Sequence, residues 1–253
     1  MIVEYDKIKD FGKLGWKINN LLEIRDYFNI PKWFIITDKK DLKKFDIKKV
    51  YEQYLNTQFY ICRSSMSNED SKKLSYAWLF ESIEWNIGNW WLEEDIGEVF
   101  ESINNNFLDK YEKNIIGHII KNRKMNVLVQ EFILWDVSWV YFSKFDRDKK
   151  IIEYIKWCNQ FLVDWIVKSN KIILNNKFEI KNHEKNKQYK YIWENLDIFI
   201  YEKINNSLNE KVLEKLLIEL KKLENFFDFD IDVEWTIKDW KVYILQVRPI
   251  TVS

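Results

Sequence analysis

Apolar residues recur with a helical period through most of the first half of the chain, and short apolar runs separate the helical segments. The predicted helices are 17–28, 39–55 and much of 92–121, and the predicted strands are 31–37 and 58–63. The polar stretch 64–77 follows the second strand and is long enough to form a functional loop. The first half therefore mixes helices with strands.

From residue 126 onward the pattern changes to a series of strands, which include NVLVQEFIL, DVSWVYFS, KIIEYIKW, FLVDWIV and KIIL. One helix interrupts the series at 208–227, where Leu213, Leu216, Leu217, Leu220, Leu223 and Phe227 form a single stripe. The change of pattern predicts two lobes, 1–125 and 126–253, in an α+β fold. A chain of 253 residues is long enough to bury a substantial core in this way.

The last part of the chain, FDFDIDVEWTIKDWKVYILQVRPIT (227–251), predicts a closing hairpin. Its pairing register decides which side chains share a face, because a shift of one residue exchanges the two faces of a strand. A two-residue turn at Asp239–Trp240 would place Glu234 opposite Leu245 and mix polar with apolar residues. That register is disfavoured.

A three-residue turn at 238–240 instead pairs Asp232 with Gln246 and Glu234 with Ile244. One face then carries Ile231, Val233, Trp235, Tyr243, Leu245 and Val247, and the other carries Asp232, Glu234, Gln246 and Arg248. We therefore predict this register. Such a turn requires its last residue, Trp240, to adopt the left-handed conformation that glycine prefers.

The polar face of the predicted hairpin combines two carboxylates, an amide and a guanidinium. Carboxylate and amide oxygens are ligands for a hard cation such as Mg²⁺, and a guanidinium binds phosphate in a bidentate manner. The alternative is an exposed strand face with a surface ion pair, since half-exposed strands routinely alternate in this way.

Charge and cysteine content exclude several classes of function. Forty basic residues balance forty acidic ones, so no net field favours nucleic acid or an anionic membrane. The sequence shows neither a membrane-spanning apolar run nor a secretory signal at its start, and we expect a cytoplasmic protein. Cys62 and Cys158 lack a CxxC partner, which disfavours a disulfide framework or a zinc site.

Five stretches in chain order resemble the ATP-binding domain of pyruvate phosphate dikinase and phosphoenolpyruvate synthase, a member of the ATP-grasp superfamily. They are LGWKINNL (14–21), IPKWFIIT (30–37), CRSSMSNEDSKKLSYAWLFES (62–82), VLVQEFILWDVSWVYFS (127–143) and DVEWTIKDWKVYILQVRPIT (232–251). The corresponding family patterns are LGGKxxNL, VPPGFxxT, VRSSxxxEDxxxxSFAGxFES, VxVQxMVxxDxSGVxFS and DIEWAxxxGKLYxLQxRPIT. The resemblance is poor over about 144–207, where only KWCNQFLVDWIVKSN is similar to a family segment.

The resemblance implies a two-lobed ATP-grasp nucleotide-binding fold that holds Mg-ATP between its lobes. Lys17 and Arg63 are then the residues that contact ATP phosphates and act in phosphoryl transfer, with weaker hydroxyl contacts from Ser64, Ser65 and Ser82. The alternatives are a surface lysine, a surface ion pair of the arginine, and serines that only form turns.

The second half of the implied site lies in the family's adenine hinge and metal hairpin. Gln130 and Glu131 correspond to the hinge that binds the adenine, although they also fit a simple strand end. Glu234 and Gln246 become the Mg²⁺ ligands, with Asp232 beside them and Arg248 on phosphate.

In this family, ATP phosphorylates a histidine on a separate swivelling domain. The chain ends at the RPIT that precedes that domain in the family, and neither His118 nor His183 lies in a Gly-rich Thr/Ser-x-His motif. We therefore expect a phosphotransferase module whose partner histidine belongs to another chain or to missing C-terminal domains. The alternatives are a fragment of a split dikinase, a degenerate non-catalytic nucleotide-binding regulator, and an enzyme acting on a small acceptor such as an antibiotic or glucan.

Tryptophan is abnormally frequent and glycine abnormally rare, with 13 Trp and 5 Gly. The family patterns have glycine at seven of the Trp positions, which are Trp16, Trp33, Trp78, Trp139, Trp157, Trp165 and Trp240. We hypothesise that the gene uses UGA as a glycine codon and was translated with a table that reads UGA as Trp. The alternative is a degenerate homologue in which these residues are truly Trp.

The nucleotide sequence tests this hypothesis directly. We expect UGA codons at positions 16, 33, 78, 139 and 240, whereas Trp235, where the family itself often has Trp, is allowed to be UGG. Sequencing the gene gives the answer, and UGG at every one of these positions would refute the recoding.

Overall fold

The computed structural model describes residues 2–4, 14–66, 70–71, 74–75, 82–87, 90–102, 125–133, 137–146, 148–156, 168–186, 188–194, 197–204 and 208–250. These residues form two compact units. The first contains the described parts of Met1–Asp26 and Pro31–Ile133, and the second contains Tyr27–Ile30 and the described parts of Leu134–Ile250. Among the described residues, no helix has both the length and the hydrophobicity needed to cross a membrane.

The first unit is built on a five-stranded sheet in the order β1-β2-β7-β3-β6, in which each paired strand runs antiparallel to its neighbour. Its strands are β1 (Ile2–Glu4), β2 (Trp33–Ile36), β3 (Phe59–Met66), β6 (Ser82–Ile87) and β7 (Met125–Glu131), and a small pair adds β4 (Asp70–Ser71) and β5 (Leu74–Ser75). Its helices are α1 (Trp16–Ile24), α2 (Ile47–Tyr54) and α3 (Leu92–Glu101).

The predicted helix 39–55 is two elements rather than one. A short 3₁₀ helix at Lys39–Lys43 ends before Asp46, and α2 begins directly after it. The Asp46 carboxylate accepts a hydrogen bond from the backbone N–H of Lys49, which is the geometry of a helix N-cap. The cap therefore starts a new helix within a segment whose apolar period alone appeared continuous.

The core of the first unit lies between the sheet and helices α2 and α3. Tyr51, Tyr60, Ile96, Val99 and Val127 belong to this buried cluster. The Tyr60 hydroxyl donates a hydrogen bond to Asp95 of α3, and burial together with this bond raises the pKa of the Tyr60 phenol. Cys62, in the same cluster, is a buried thiol whose pKa is raised by burial, as expected of an ordinary structural cysteine.

Strand β7 shows where the two units divide. The sequence analysis placed the lobe boundary after residue 125, which assigns this strand to the second lobe. In the structure β7 lies between β2 and β3 of the first sheet, and the units divide after Ile133. An apolar run that is buried on both faces predicts a strand but does not indicate which sheet the strand joins.

The second unit contains a six-stranded sheet in the order β11-β10-β9-β8-β14-β15, again antiparallel throughout. Its strands are β8 (Val137–Asp146), β9 (Lys149–Lys156), β10 (Asn170–Asn175), β11 (Ile180–Glu184), β14 (Ile231–Lys238) and β15 (Lys241–Pro249). Strands β12 (Gln188–Glu194) and β13 (Asp197–Ile204) form a separate pair, and the helix is α4 (Glu210–Phe226). With helices and antiparallel sheets in both units, the predicted α+β class is confirmed.

Helix α4 covers one face of the six-stranded sheet. Its buried stripe is Leu216, Leu220 and Leu223, as the apolar period predicted. Glu224 at its last turn accepts hydrogen bonds from Tyr141 and Lys150, both at 2.5 Å. Tyr141 pairs directly with Val233 of β14, so Val233 lies on the α4 side and its neighbours in sequence lie on the opposite side.

The predicted register of the closing hairpin is wrong. Strand β14 ends at Lys238 and β15 begins at Lys241, so the turn has two residues. A bulge between Glu234 and Trp235 then shifts the ladder, so that Glu234 faces Gln246 and Asp232 faces Arg248. A bulge is not visible in the apolar pattern, and it removes the mixing of faces that disfavoured the two-residue turn.

The bulge also changes which residues form the apolar face. Trp235 pairs with Ile244, and Ile237 pairs with Val242, all of them buried. Tyr243, which was predicted on this face, pairs with Thr236 instead, and Leu245 is the extra residue of the bulge. The four polar side chains still share the opposite face, as predicted.

The two turn residues both adopt left-handed backbone conformations. The φ angles are 49° at Asp239 and 64° at Trp240, as a type I′ hairpin turn requires. Trp240 is exposed, and Lys215 of α4 donates a hydrogen bond to its carbonyl oxygen at 2.8 Å. The backbone of residue 240 therefore takes the conformation expected from the turn analysis, and its indole fills no core position.

Replacing Trp240 with glycine should stabilise the protein. The substitution removes a left-handed penalty of about 1–2 kcal/mol, partly offset by the greater freedom of glycine in the unfolded chain. We expect the free energy of unfolding, measured by urea denaturation, to rise by about 0.5–1 kcal/mol.

Trp90→Gly is the matched control, because Trp90 is also highly exposed but is not among the residues with positive φ. That variant should be neutral or destabilising. Equal stabilisation by both variants would show that the loss of an exposed indole, and not the turn conformation, causes the effect.

Candidate functional site

The loop before α1 is fixed to the sheet of the first unit by three hydrogen bonds around Leu14. The Ser65 hydroxyl donates to the Leu14 carbonyl oxygen at 2.8 Å, and the Asn126 amide donates to the same oxygen at 3.2 Å and to the Ser65 carbonyl at 3.4 Å. Strands β3 and β7 therefore hold the start of α1 in place. The helix begins at Trp16, directly after this anchor.

Gly15 makes this close packing possible. Its φ is 88°, and a Cβ built there would lie 2.4 Å from the Ser65 Oγ and 2.7 Å from the Met66 carbonyl oxygen. Both the backbone conformation and the contact exclude any larger residue. The first glycine of LGWK is therefore required by the structure, and the loop it forms leads directly into the N-terminus of α1, where free backbone N–H groups favour anions.

Two cationic side chains belong to this part of the first unit. Lys17 is the second residue of α1 and is buried, and Arg63 is half-buried in β3, two residues before Ser65. Ser82 is the first residue of β6 and pairs directly with Arg63 across the two strands. The structure therefore brings Arg63 and Ser82 together in register, as a shared site requires.

Ser64 and Ser65 do not lie in a covering loop, contrary to the sequence analysis. Both are fully buried residues of β3, which continues to Met66. Ser65 uses its hydroxyl to hold Leu14, and the Ser64 Oγ has no hydrogen-bond partner among the described residues. The polar composition of 64–77 predicted a loop from Ser64 onward, but Ser65 fixes the loop before α1 from within the sheet.

Gln130 and Glu131 end strand β7. Gln130 pairs with Trp33 of β2 on one side and with Ile61 of β3 on the other, and its buried Nε2 has no partner among the residues that the structure describes. The Glu131 carboxylate accepts a hydrogen bond from the backbone N–H of Lys32 at 3.3 Å. Gln130 therefore has an unused donor, whereas the Glu131 side chain helps to fix the strand end.

The hairpin of the second unit forms two polar pairs on one face. Glu234 lies opposite Gln246, whose Nε2 is 3.4 Å from the Glu234 Oε1. Asp232 lies opposite Arg248, and the Arg248 Nε donates to its Oδ2 at 2.6 Å. Because Asp232 is buried, this charge-assisted contact fixes the orientation of the guanidinium.

The donor set on this face fits Mg²⁺. Glu234 and Asp232 supply carboxylate oxygens, and Gln246 supplies an amide oxygen. Mg²⁺ is usually held by one or two carboxylates together with waters and substrate phosphates rather than by a complete protein cage. The described residues contain no group of three or more His, Cys, Asp or Glu side chains placed to hold a metal.

Of the two histidines, only His183 belongs to the part of the chain that the structure describes. His118 lies outside the described residues. His183 is a half-buried residue of β11 whose Nε2 lies 2.8 Å from the Tyr154 hydroxyl. Burial, with a smaller contribution from Lys185, lowers the pKa of His183, and burial raises the pKa of Tyr154 to about 12. The contact with Tyr154 therefore gives His183 a structural partner within the sheet of the second unit.

Sequence reasoning missed Asn126 and the special conformation of Gly15. Asn126 is a buried polar residue at the start of an apolar strand, and a polar residue in that position is the signal that points to a specific hydrogen bond. Lys17, Arg63, Ser82 and Gln130 belong to the first unit, and the hairpin residues belong to the second. Whether both groups bind one nucleotide stays a prediction.

Comparisons with known proteins identify the family. The family model of the pyruvate phosphate dikinase AMP/ATP-binding domain matches residues 28–253. The matched range includes four of the five stretches quoted above, and LGWKINNL precedes it. No curated protein sequence matches the chain significantly.

Several solved structures are similar over most of the chain at low identity. PH1788 from Pyrococcus horikoshii Ot3 is 8% identical with a TM-score of 0.49, and the alignment covers 97% of each chain. D-alanine–D-alanine ligase from Bacillus anthracis complexed with ATP is 9% identical with a TM-score of 0.39, and the alignment covers 92% of this chain and 54% of the ligase. The chain thus spans about half of the length of that ligase.

The conformation of Gly15 gives a test of the loop before α1. Gly15→Ala places a methyl group within 2.4 Å of the Ser65 Oγ and forces a non-glycine residue into a left-handed conformation. We expect the free energy of unfolding, measured by urea denaturation, to fall by more than about 2 kcal/mol.

Gly97→Ala provides the control in the same unit. Gly97 lies within α3 and has no atom within 4 Å of a built Cβ, so alanine should stabilise the helix by about 0.5–1 kcal/mol. A neutral effect of Gly15→Ala would show that the loop adopts another conformation in solution.

Proposed function

The chain belongs to the family of pyruvate phosphate dikinase AMP/ATP-binding domains, and on that premise we propose that it is a Mg-ATP-dependent phosphotransferase module. The observation that carries the proposal is the pair of polar contacts on the closing hairpin, where Glu234 faces Gln246 and Asp232 holds Arg248. In an ATP-binding family, this combination of oxygen ligands and a fixed guanidinium suits the binding of metal and phosphate together.

The hairpin residues have distinct roles in this proposal. Glu234 and Gln246 hold Mg²⁺, which neutralises phosphate charge when it is bound. Arg248 contacts phosphate. Asp232 positions the Arg248 guanidinium through the 2.6 Å contact between its Oδ2 and the Arg248 Nε. Glu234 is half-exposed on the face opposite α4, so it is accessible to a ligand from solvent.

Residues of the first unit supply further contacts to the nucleotide. Lys17, near the N-terminus of α1, and Arg63 of β3 contact phosphates, with Ser82 beside Arg63. The unused Nε2 donor of buried Gln130 suits an acceptor nitrogen of the adenine. Phosphoryl transfer depends mainly on positioning and on neutralisation of charge, and these are the functions assigned to the residues.

The acceptor in the proposed reaction is a histidine outside this sequence. His183 hydrogen-bonds to Tyr154 and has a lowered pKa, which suits a structural role better than a swivelling phosphate carrier. We therefore propose a partner chain or further domain that presents an imidazole nitrogen to the ATP phosphate.

A non-catalytic nucleotide-binding regulator is the second candidate, and a true Trp at position 16 would favour it. Trp16 follows Gly15 directly and is the first residue of α1. An indole at this position stands beside Lys17, where backbone N–H groups have to approach phosphate. A true Trp at position 16 therefore predicts weak ATP binding, and glycine predicts strong binding.

Thermal unfolding with Mg-ATP tests the metal assignment in two versions of the full chain. One version has Trp at positions 16, 33 and 240, and the other has glycine at these positions. A ligand that binds only the folded state at a hundredfold excess over its Kd adds about 2.7 kcal/mol. We expect Mg-ATP to raise the Tm most in the glycine version. Glu234→Gln should abolish most of that shift while leaving the Tm of the ligand-free protein unchanged.

Two further variants separate metal binding from phosphate binding. Arg63→Ala should reduce the ATP shift equally with and without Mg²⁺, whereas Glu234→Gln should act only when Mg²⁺ is present. Glu219→Gln on α4, where the residue pairs with Lys222, is the control and should change nothing. An intact Mg-ATP shift in Glu234→Gln would show that the hairpin acids are an ordinary polar face.

A further inference from the structure

A single row of paired residues crosses the whole sheet of the second unit. From β15 to β11 the row is Gln246, Glu234, Val140, Glu153, Lys171 and Glu184, and each residue pairs directly with the next. Directly paired residues of antiparallel strands point to the same face. Glu153 and Lys171 therefore share the face of Glu234, and that face is the one opposite α4.

Strand spacing gives the separations along this row. Neighbouring strands lie about 4.8 Å apart, so the Cα atoms of Glu234 and Glu153 are about 10 Å apart and those of Glu234 and Lys171 about 14–15 Å. Only Val140 stands between Glu234 and Glu153, and its side chain is short. A flexible lysine side chain together with a polyphosphate chain is long enough to bridge this distance.

Glu153 holds Lys171 in place. The Lys171 Nζ lies 2.7 Å from the Glu153 Oε1, and the other carboxylate oxygen accepts a hydrogen bond from the Ser169 hydroxyl at 2.9 Å. The Lys171 side chain is 36% exposed, so its ammonium is accessible from solvent. The carboxylate is thus fixed by two donors while the lysine keeps access to a ligand.

The surroundings of the pair strengthen its electrostatic effect. Ile151 and Ile155, which flank Glu153 on the same strand and face, are almost completely buried. Phe142 and Ile173 extend the apolar surface in the neighbouring row. A charge at the edge of an apolar surface interacts more strongly with a ligand than a charge surrounded by water.

We propose that Lys171, positioned by Glu153, contacts the phosphates of the nucleotide. Lys171 lies on the same face of the sheet as Arg248, but toward the opposite edge. The proposal rests on the proposed function and extends the phosphate site from β14 across three further strands of the sheet, β8, β9 and β10. The Lys171 ammonium has three N–H donors, so it can keep its 2.7 Å contact with Glu153 while it donates to a phosphate oxygen.

Isothermal titration calorimetry with Mg-ATP and with adenosine tests the proposal. The measurement uses the version of the full chain, with Trp or with glycine, whose Tm rises more with Mg-ATP. Lys171→Met should raise the Kd for Mg-ATP about tenfold, because it removes one charged contact. The Kd for adenosine should not change, because adenosine lacks phosphate. A purely structural role of the ion pair would affect both ligands equally or neither.

Lys181→Met is the matched control. Lys181 lies in β11, the edge strand of the same sheet, and forms a similar ion pair with Glu179. It should leave both Kd values unchanged. Glu153→Gln offers a second variant if Lys171→Met folds poorly, and it should also weaken Mg-ATP binding without affecting adenosine.

The outcomes separate this inference from the proposed function. Lys171→Met and Lys181→Met could bind Mg-ATP with equal affinity while Glu234→Gln still abolishes binding. That result would overturn the role of Lys171 and leave the proposed function intact. Failure of the unaltered protein to bind Mg-ATP would overturn both. An ATP-selective loss in Lys171→Met and in Glu153→Gln supports the extended phosphate site.

Discussion

The bulge between Glu234 and Trp235 is the constraint on which the polar face of the second unit depends. It allows a two-residue turn and still places Glu234 opposite Gln246 and Asp232 opposite Arg248. Without it, an unbroken ladder from the same turn would put Glu234 opposite Leu245 and divide the polar residues between two faces. The metal-binding and phosphate-binding assignments therefore depend on one extra residue in β15.

The energetics of packing explain why this register is maintained despite an unfavourable turn. Val233, Trp235, Ile244 and Val247 are all essentially buried. Complete burial of one such side chain contributes about 1.5–3 kcal/mol, whereas the left-handed backbone at Trp240 costs about 1–2 kcal/mol. The apolar face of the hairpin thus outweighs the strain in its turn, and it fixes the polar residues on the other side.

Among the described residues, the sequence predicted the buried stripe of α4 and the polar face of the hairpin correctly, because these depend on local periodicity. The stripe of α4 and the alternation in β14 are examples. The bulge, the place of β7 in the first sheet and the hydrogen bonds of Ser65 depend on partners far away in the chain, and a single sequence does not reveal them. The pairing of Glu153 with Lys171 likewise depends on the observed register of two strands, β9 and β10.

The two Trp residues of the hairpin are subject to opposite constraints, although they are close in sequence. Trp235 is completely buried, so a glycine there would leave a large cavity, whereas Trp240 is exposed in a conformation that glycine adopts without strain. A general excess of Trp in a degenerate sequence has no reason to place one at the left-handed position of a tight turn. Recoding of glycine codons accounts for Trp240 and leaves Trp235 as a true Trp. The same explanation applied to residue 16 removes an indole from the start of α1, next to Gly15 and Lys17, and so favours a working nucleotide site over a degenerate one.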